Sequence, residues 1–109
     1  YDIRRAGTGS SEYPDLKAEF SNLPHDRGTL SMARSSDPNS ANSQFFICFD
    51  DSSFLDGQYT VWGQVIEGMV YVDKIKRGSS SSNGSVNEPD HMIKVTVGKK
   101  YQPEESSKE

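Results

Sequence analysis

The sequence predicts a mainly β, antiparallel domain with too few strands to close its own sheet. Three segments, 29–34, 44–49 and 59–65, alternate their side chains at the two-residue period of a strand. Turn-rich connections join them where a parallel sheet would need a helical crossover, so a meander is expected. Only 69–77 spaces its apolar residues like a helix.

Residues 1–15 are polar and glycine-bearing, and Gly7-Thr8-Gly9-Ser10-Ser11 reads as loop. The segment 15–20 reads as one short helical turn or a connection, with Pro14 suited to a first helical position. In 44–49, Gln44 and Phe46 share one face while Phe45 and Ile47 point to the other, the expected core side. A turn-rich stretch, 50–58, ends in Asp56-Gly57. In 59–65, Tyr59, Val61 and Val65 face one way and Thr60, Trp62 and Gln64 the other, and Trp62 is assigned to the core. The helix is expected over 69–77, through Met69, Val70, Val72 and Ile75. Lys74, Lys76 and Arg77 suit its negative end, and Gly78 is its stop. A flexible loop is expected over 79–85, around the Asn83-Gly84 turn signal, then a last strand over 91–97 through Ile93, Val95 and Val97. Residues 98–109 have nothing to bury and read as a disordered polar tail, which leaves 1–97 as the domain.

A chain of 109 residues makes one domain at most. Counting its nine glycines, about 40% is apolar, below the roughly 45 to 50% of ordinary globular domains. Either the core is small or part of it lies elsewhere. The net charge of −4 disfavours nucleic acid, whose phosphates need a basic footprint. No apolar run is long enough to span a bilayer, so no membrane partner is expected. Cys48 is the sole cysteine, which excludes an internal disulfide; between Ile47 and Phe49 it reads as a small buried hydrophobe. A free thiol without a disulfide leans towards a cytoplasmic protein, with a periplasmic one as the alternative.

The stretch 28–48, GTLSMARSSDPNSANSQFFIC, carries the functional reading. It sets a strand, a loop of small and amide side chains, and a second strand in which Gln44 and Phe46 form an amide and an aromatic floor on one face. That set suits an extended peptide held through its main chain, with one apolar ring in a pocket.

Here the chain resembles the cyclophilins, peptidyl-prolyl cis/trans isomerases. The residues that carry the resemblance are Leu30-Ser31-Met32-Ala33, Pro38-Asn39, Ser43-Gln44-Phe45-Phe46-Ile47-Cys48, Leu55-Asp56-Gly57 and Gly63-Gln64-Val65. Phe20-Ser21-Asn22 and Glu67-Gly68-Met69 fit as well, so the likeness runs from about Gly7 to Val97. It implies a closed eight-stranded antiparallel barrel capped by two helices, of which this chain holds the later strands and the second helix. It further implies that the family's Phe-His-Arg arginine and the first strands stand outside these residues. Arg4 and Arg5 lack that context and lie in the loop beyond it.

Carried over position by position, the resemblance makes Phe46 the base of the proline pocket, Leu55 its aliphatic wall and Gln44 the amide that contacts substrate. Ala33, Arg34 and Ser35 become the strand edge beside the peptide, and Gly7-Thr8-Gly9 the loop beside a secondary pocket. Arg34 stands where the family often has asparagine. Phe54 stands where many members have tryptophan and Tyr59 where many have histidine, both as in bacterial members. Loss of the indole N–H donor weakens the expected binding of cyclosporin. The implied activity is isomerisation of X-Pro bonds in unfolded segments by a monomeric protein. A proline-peptide binding module without turnover is the competing reading.

Twisting a prolyl amide requires no nucleophile, metal or cofactor. It requires a pocket for the ring, an anchored backbone and a donor to the amide nitrogen. None of the other polar residues calls for more. His25 in its turn and His91 at a strand start read as solvated or hydrogen-bonding. Asp50, Asp51 and Asp56 lack the ligand alternation of a calcium loop, so no metal is expected.

Overall fold

The computed structural model describes residues 4–98. Strands β1 (Thr29–Met32), β2 (Phe45–Ile47) and β3 (Val61–Gln64) form one antiparallel sheet in the order β2-β1-β3. β1 is central because both partners return to it through connections. Leu30 pairs with Ile47 on one side and Gly63 on the other. The regular strands are shorter than the alternating segments, but hydrogen bonds continue past them, from Ala33 N to Gln44 O at 3.0 Å and from Gly28 N to Cys48 O at 2.8 Å. Among the described residues the sheet is open, with β2 and β3 as edges.

β3 carries an irregularity: Leu30 faces Gly63 but Ser31 faces Val61, so Trp62 is the extra residue of a bulge. The backbones approach closely there, and a Cβ on Gly63 would lie 3.1 Å from Leu30 Cδ1. Trp62 packs edge-on against Phe45, ring centroids 5.8 Å apart. It is nevertheless 52% exposed and Phe45 39% exposed, against the expectation of a core on this face. Two rings cover each other only in part.

Burial falls instead on the opposite face and on polar groups. His25 and Ser31 are fully buried, with Thr29, Ala41 and Cys48 close behind. Thr29 and Ser31 are the inward positions of β1. Burial pushes the Cys48 thiol pKa upward, as expected for an inert hydrophobe.

Segment 15–20 forms no helix; it runs extended, joined to the amide-rich loop by the Leu16–Ala41 bridge. The helix expected over 69–77 is the single turn α1 (Met69–Val72), entered through left-handed Gly68. Later amides bond three residues back, and Lys76 N donates to Asp90 Oδ2 at 2.8 Å, which removes it from the helical ladder. The β-branched Val70, Val72 and Ile75 add little helix propensity to oppose this. Beside the turn, Arg27 grips Asp73 with two hydrogen bonds, at 2.9 and 2.7 Å. Their hydrogen bond raises the arginine pKa and lowers the carboxyl pKa.

The loop expected over 79–85 is ordered by a 3-10 turn, Ser80–Ser82, closed by Asn83 and Gly84, both at positive φ. Gly78 touches this turn instead of ending a helix: a Cβ there would run into the backbone of Gly84 and Ser85. Gly78→Ala should therefore cost about 1 to 3 kcal/mol, the usual range for overpacking. An unchanged melting temperature would mean that the turn yields freely. No strand forms over 91–97, where Ile93 and Val97 are almost wholly exposed. A strand needs a partner ladder, and this segment pairs with neither open edge of the sheet. Of the tail expected to be disordered, 99–109 lies outside the described residues.

Candidate functional site

The amide loop between β1 and β2 builds one wall. Asp37 turns the chain by accepting from Asn39 N, and the Ser35 and Ser40 hydroxyls meet at 2.7 Å. Asparagine side chains then serve extended backbone that has no strand beside it. Asn39 accepts from Ala18 N at 3.0 Å, and Asn42 accepts from Ser11 N at 2.7 Å while donating to Tyr13 O. The loop therefore holds the N-terminal segment against the end of the sheet.

Gln44 extends from the start of β2 into this junction. Its Nε2 donates to Gly7 O at 2.9 Å and to Gly9 O at 3.3 Å, which joins the strand to the small-residue loop. Gly7, Gly9, Ala33, Arg34, Ser35 and Gln44 line a cavity of about 290 Å³. Thr8 turns back on Arg5 O and does not line it.

A cage of rings adjoins this cavity through Arg34, which lines the one and lies over Tyr59 of the other. Phe46, half-buried, is stacked on the His25 imidazole, with centroids 6.1 Å apart and planes 13° apart. Tyr59 stands edge-on to both, 5.7 Å from Phe46 and 6.4 Å from His25. Arg34 lies with Cζ 4.6 Å from the Tyr59 ring centre while Nη2 donates to Gln58 O at 2.7 Å, so the guanidinium caps the cage at the cavity side. Gln58 in turn donates from Nε2 to Phe54 O and from its backbone N to Leu55 O. This ties the 3-10 turn Ser53–Leu55 to the cage, with Leu55 half-buried and Phe54 74% exposed.

The structure thus gathers Gln44, Ala33, Arg34, Ser35 and Gly7 around the cavity, and Phe46 and Tyr59 in the cage beside it. Phe54 and Leu55 sit on an adjoining turn. Sequence reasoning missed the centre of the arrangement. His25 does not merely sit in a turn: its backbone N and its Nδ1 both meet Asp56 Oδ1, at 2.8 and 3.0 Å. Its Nε2 lies 2.9 Å from Ser31 Oγ, and that hydroxyl donates to Thr60 O at 3.0 Å. Thr29 and Ser31 at the inward positions of an otherwise apolar strand were the signal, since buried hydroxyls require partners.

Among the described residues no group of three His, Cys, Asp or Glu side chains could hold a metal ion. The exposed chemistry of the site is amide, aromatic ring and backbone edge, which can hold an extended chain and an apolar ring.

Comparison with known proteins gives the family. The family described as cyclophilin type peptidyl-prolyl cis-trans isomerase/CLD matches residues 2–97. The chain belongs to the cyclophilin family. A probable peptidyl-prolyl cis-trans isomerase of Brucella abortus is 63% identical over 97 residues, covering 89% of this chain and 50% of that protein. A peptidyl-prolyl cis-trans isomerase of Acinetobacter baylyi is 47% identical over 87 residues, covering 73% of this chain and 46% of that protein. The solved cyclophilin AquaCyp293 from Hirschia baltica matches with a TM-score of 0.49 and 37% identity, covering 64% of this chain and 23% of that one. The chain spans about half the length of the curated relatives it matches.

Proposed function

We propose that the protein carrying this cyclophilin-family chain isomerises X-Pro bonds in unfolded or partly folded proteins. The observation that carries the reading is the half-buried Phe46 ring, caged by Tyr59 and His25 and joined through Arg34 to a cavity that Gln44 lines. In this reading Phe46 seats the proline ring, Leu55 is its wall, and Phe54 and Tyr59 form the rim. Gln44 contacts the peptide backbone, which runs along Ala33, Arg34 and Ser35, and Gly7 borders the neighbouring pocket. Arg34 serves the rim and not the reacting amide, because Nη1 and Nη2 are bound to Ser35 O and Gln58 O.

The finer fold belongs to the same proposal. The edges of β2 and β3 and the partly exposed face of Phe45 and Trp62 would be covered in a closed eight-stranded barrel, as a monomer. A cytoplasmic location is likewise proposed and is tested by cell fractionation. For function, the decisive measurement is NMR exchange on a proline-containing peptide with the full-length protein. Faster cis-to-trans exchange is expected. Binding without faster exchange would leave a proline-peptide module in its place.

Cyclosporin gives a side test. Phe54 offers an exposed ring and no N–H. Phe54→Trp should tighten cyclosporin binding by about 1 kcal/mol, one net hydrogen bond, while peptide isomerisation changes little. Titration with unaltered affinity would place Phe54 outside the groove.

A further inference from the structure

We infer that His25 is a positioning residue of the groove, fixing the orientation of the Phe46 ring against which a proline is seated. This rests on the groove reading above and goes one residue beneath it. An apolar side chain of similar size could fill the same space; what the imidazole adds is direction. Its two nitrogens are bound on separate elements, Nδ1 to Asp56 and Nε2 to Ser31. The ring therefore cannot turn about its Cβ–Cγ bond without breaking one of them. Phe46 has no polar atom to hold it and lies nearly parallel to this locked plane, at 13°, with Tyr59 edge-on to both.

The anchors are the elements that surround the groove. Ser31 is the ladder partner of Phe46, Asp56 follows Leu55 directly, and Thr60, whose carbonyl takes the Ser31 proton, follows Tyr59. One buried imidazole thus refers floor, wall and rim to a common frame. The full burial of His25 keeps it from the substrate, so it acts through Phe46.

The test uses the full-length protein. His25→Phe keeps a flat ring and abolishes both nitrogen bonds. Ser31 keeps Thr60 O as acceptor, and Asp56, 39% exposed, remains hydrated. Misplacement of a seat by a fraction of its width typically costs up to about 10²-fold in rate, and kcat/KM is expected to fall by about 10- to 100-fold. Three-bond couplings of Phe46 should change from one rotamer to an average, a change that mere filling of space would not produce. Asp56→Ala, at a part-exposed site, removes the outer anchor together with the acceptor of the His25 backbone N, leaves the Ser31 bond, and should give a smaller shift of the same kind, which keeps the idea testable where His25→Phe does not fold. Wild-type kcat/KM with a single Phe46 rotamer, in whichever of these variants folds, overturns the inference. Phe46→Ala run alongside separates the two levels: if it too retains wild-type kcat/KM, the groove reading falls and the role of His25 with it.

Discussion

Phe46→Ala in the full-length protein should lower kcat/KM for a proline-containing peptide far more than it lowers stability. Seating an apolar ring on Phe46 takes both surfaces out of water, and a buried aromatic of this size contributes about 1.5 to 3 kcal/mol. Through the exponential dependence of rate on barrier, that is roughly 10- to 150-fold in kcat/KM. The stability cost is bounded by what the ring does without a ligand. A Phe truncated in a true core typically costs about 3 to 5 kcal/mol, but Phe46 is only half-buried and its described ring partners are His25 and Tyr59. Each such ring pair is worth about 0.5 to 1.5 kcal/mol beyond area, so a cost below the core range is expected. Phe45→Ala is the matched control. It lies on the opposite face, against Trp62, and should leave kcat/KM within about twofold, since in this reading its ring touches the substrate in neither the ground state nor the transition state. A protein with near-wild-type turnover after Phe46→Ala and a large fall in melting temperature would make Phe46 a core residue and remove the groove.

The two faces of β2 were legible because alternation is a local property. Gln44, Phe46 and their neighbours could be assigned to opposite sides from the two-residue period alone, and the structure pairs Phe46 with Ser31 and turns Phe45 towards Trp62. Which face would be buried was not legible, because burial depends on what else packs there. The described residues cover the polar side around His25 and leave Phe45 and Trp62 partly exposed. The same reason explains the strand expected over 91–97, where the pattern names a face but cannot supply a ladder partner. The helix over 69–77 failed differently: its apolar spacing is real, but Asp90, distant in sequence, captures an amide that the helix needed. At the site, the residues named from the family motif include Gln44 and Arg34 at the cavity and Phe46 and Tyr59 in the cage. His25 was seen only as a turn histidine, since its partners Ser31 and Asp56 lie 6 and 31 residues away.

Residues 1–109 expressed by themselves should fold poorly and isomerise close to background. Among the described residues β2 and β3 present unpaired edges, and unpaired edges template association with other chains. The exposed rings of Trp62 and Phe54, with Ile93 and Val97, add apolar surface that favours the same outcome. Catalysis is limited separately. A twisted prolyl amide gains from a donor aimed at its nitrogen, and loss of one such preorganised donor costs roughly 10² to 10³ in rate. Arg34 has its terminal nitrogens committed at the rim, and Gln44 spends its amide on Gly7 and Gly9. The experiment compares the 109-residue segment with the full-length protein, reading amide-exchange protection, molecular mass in solution and catalysed cis-to-trans exchange on one peptide. Slow amide exchange in β1, flanked on both sides, with faster exchange in β2 and β3 would match the open sheet. A monomeric segment with uniform protection and full activity would show that three strands suffice to hold the cage, and that no donor beyond these residues is needed.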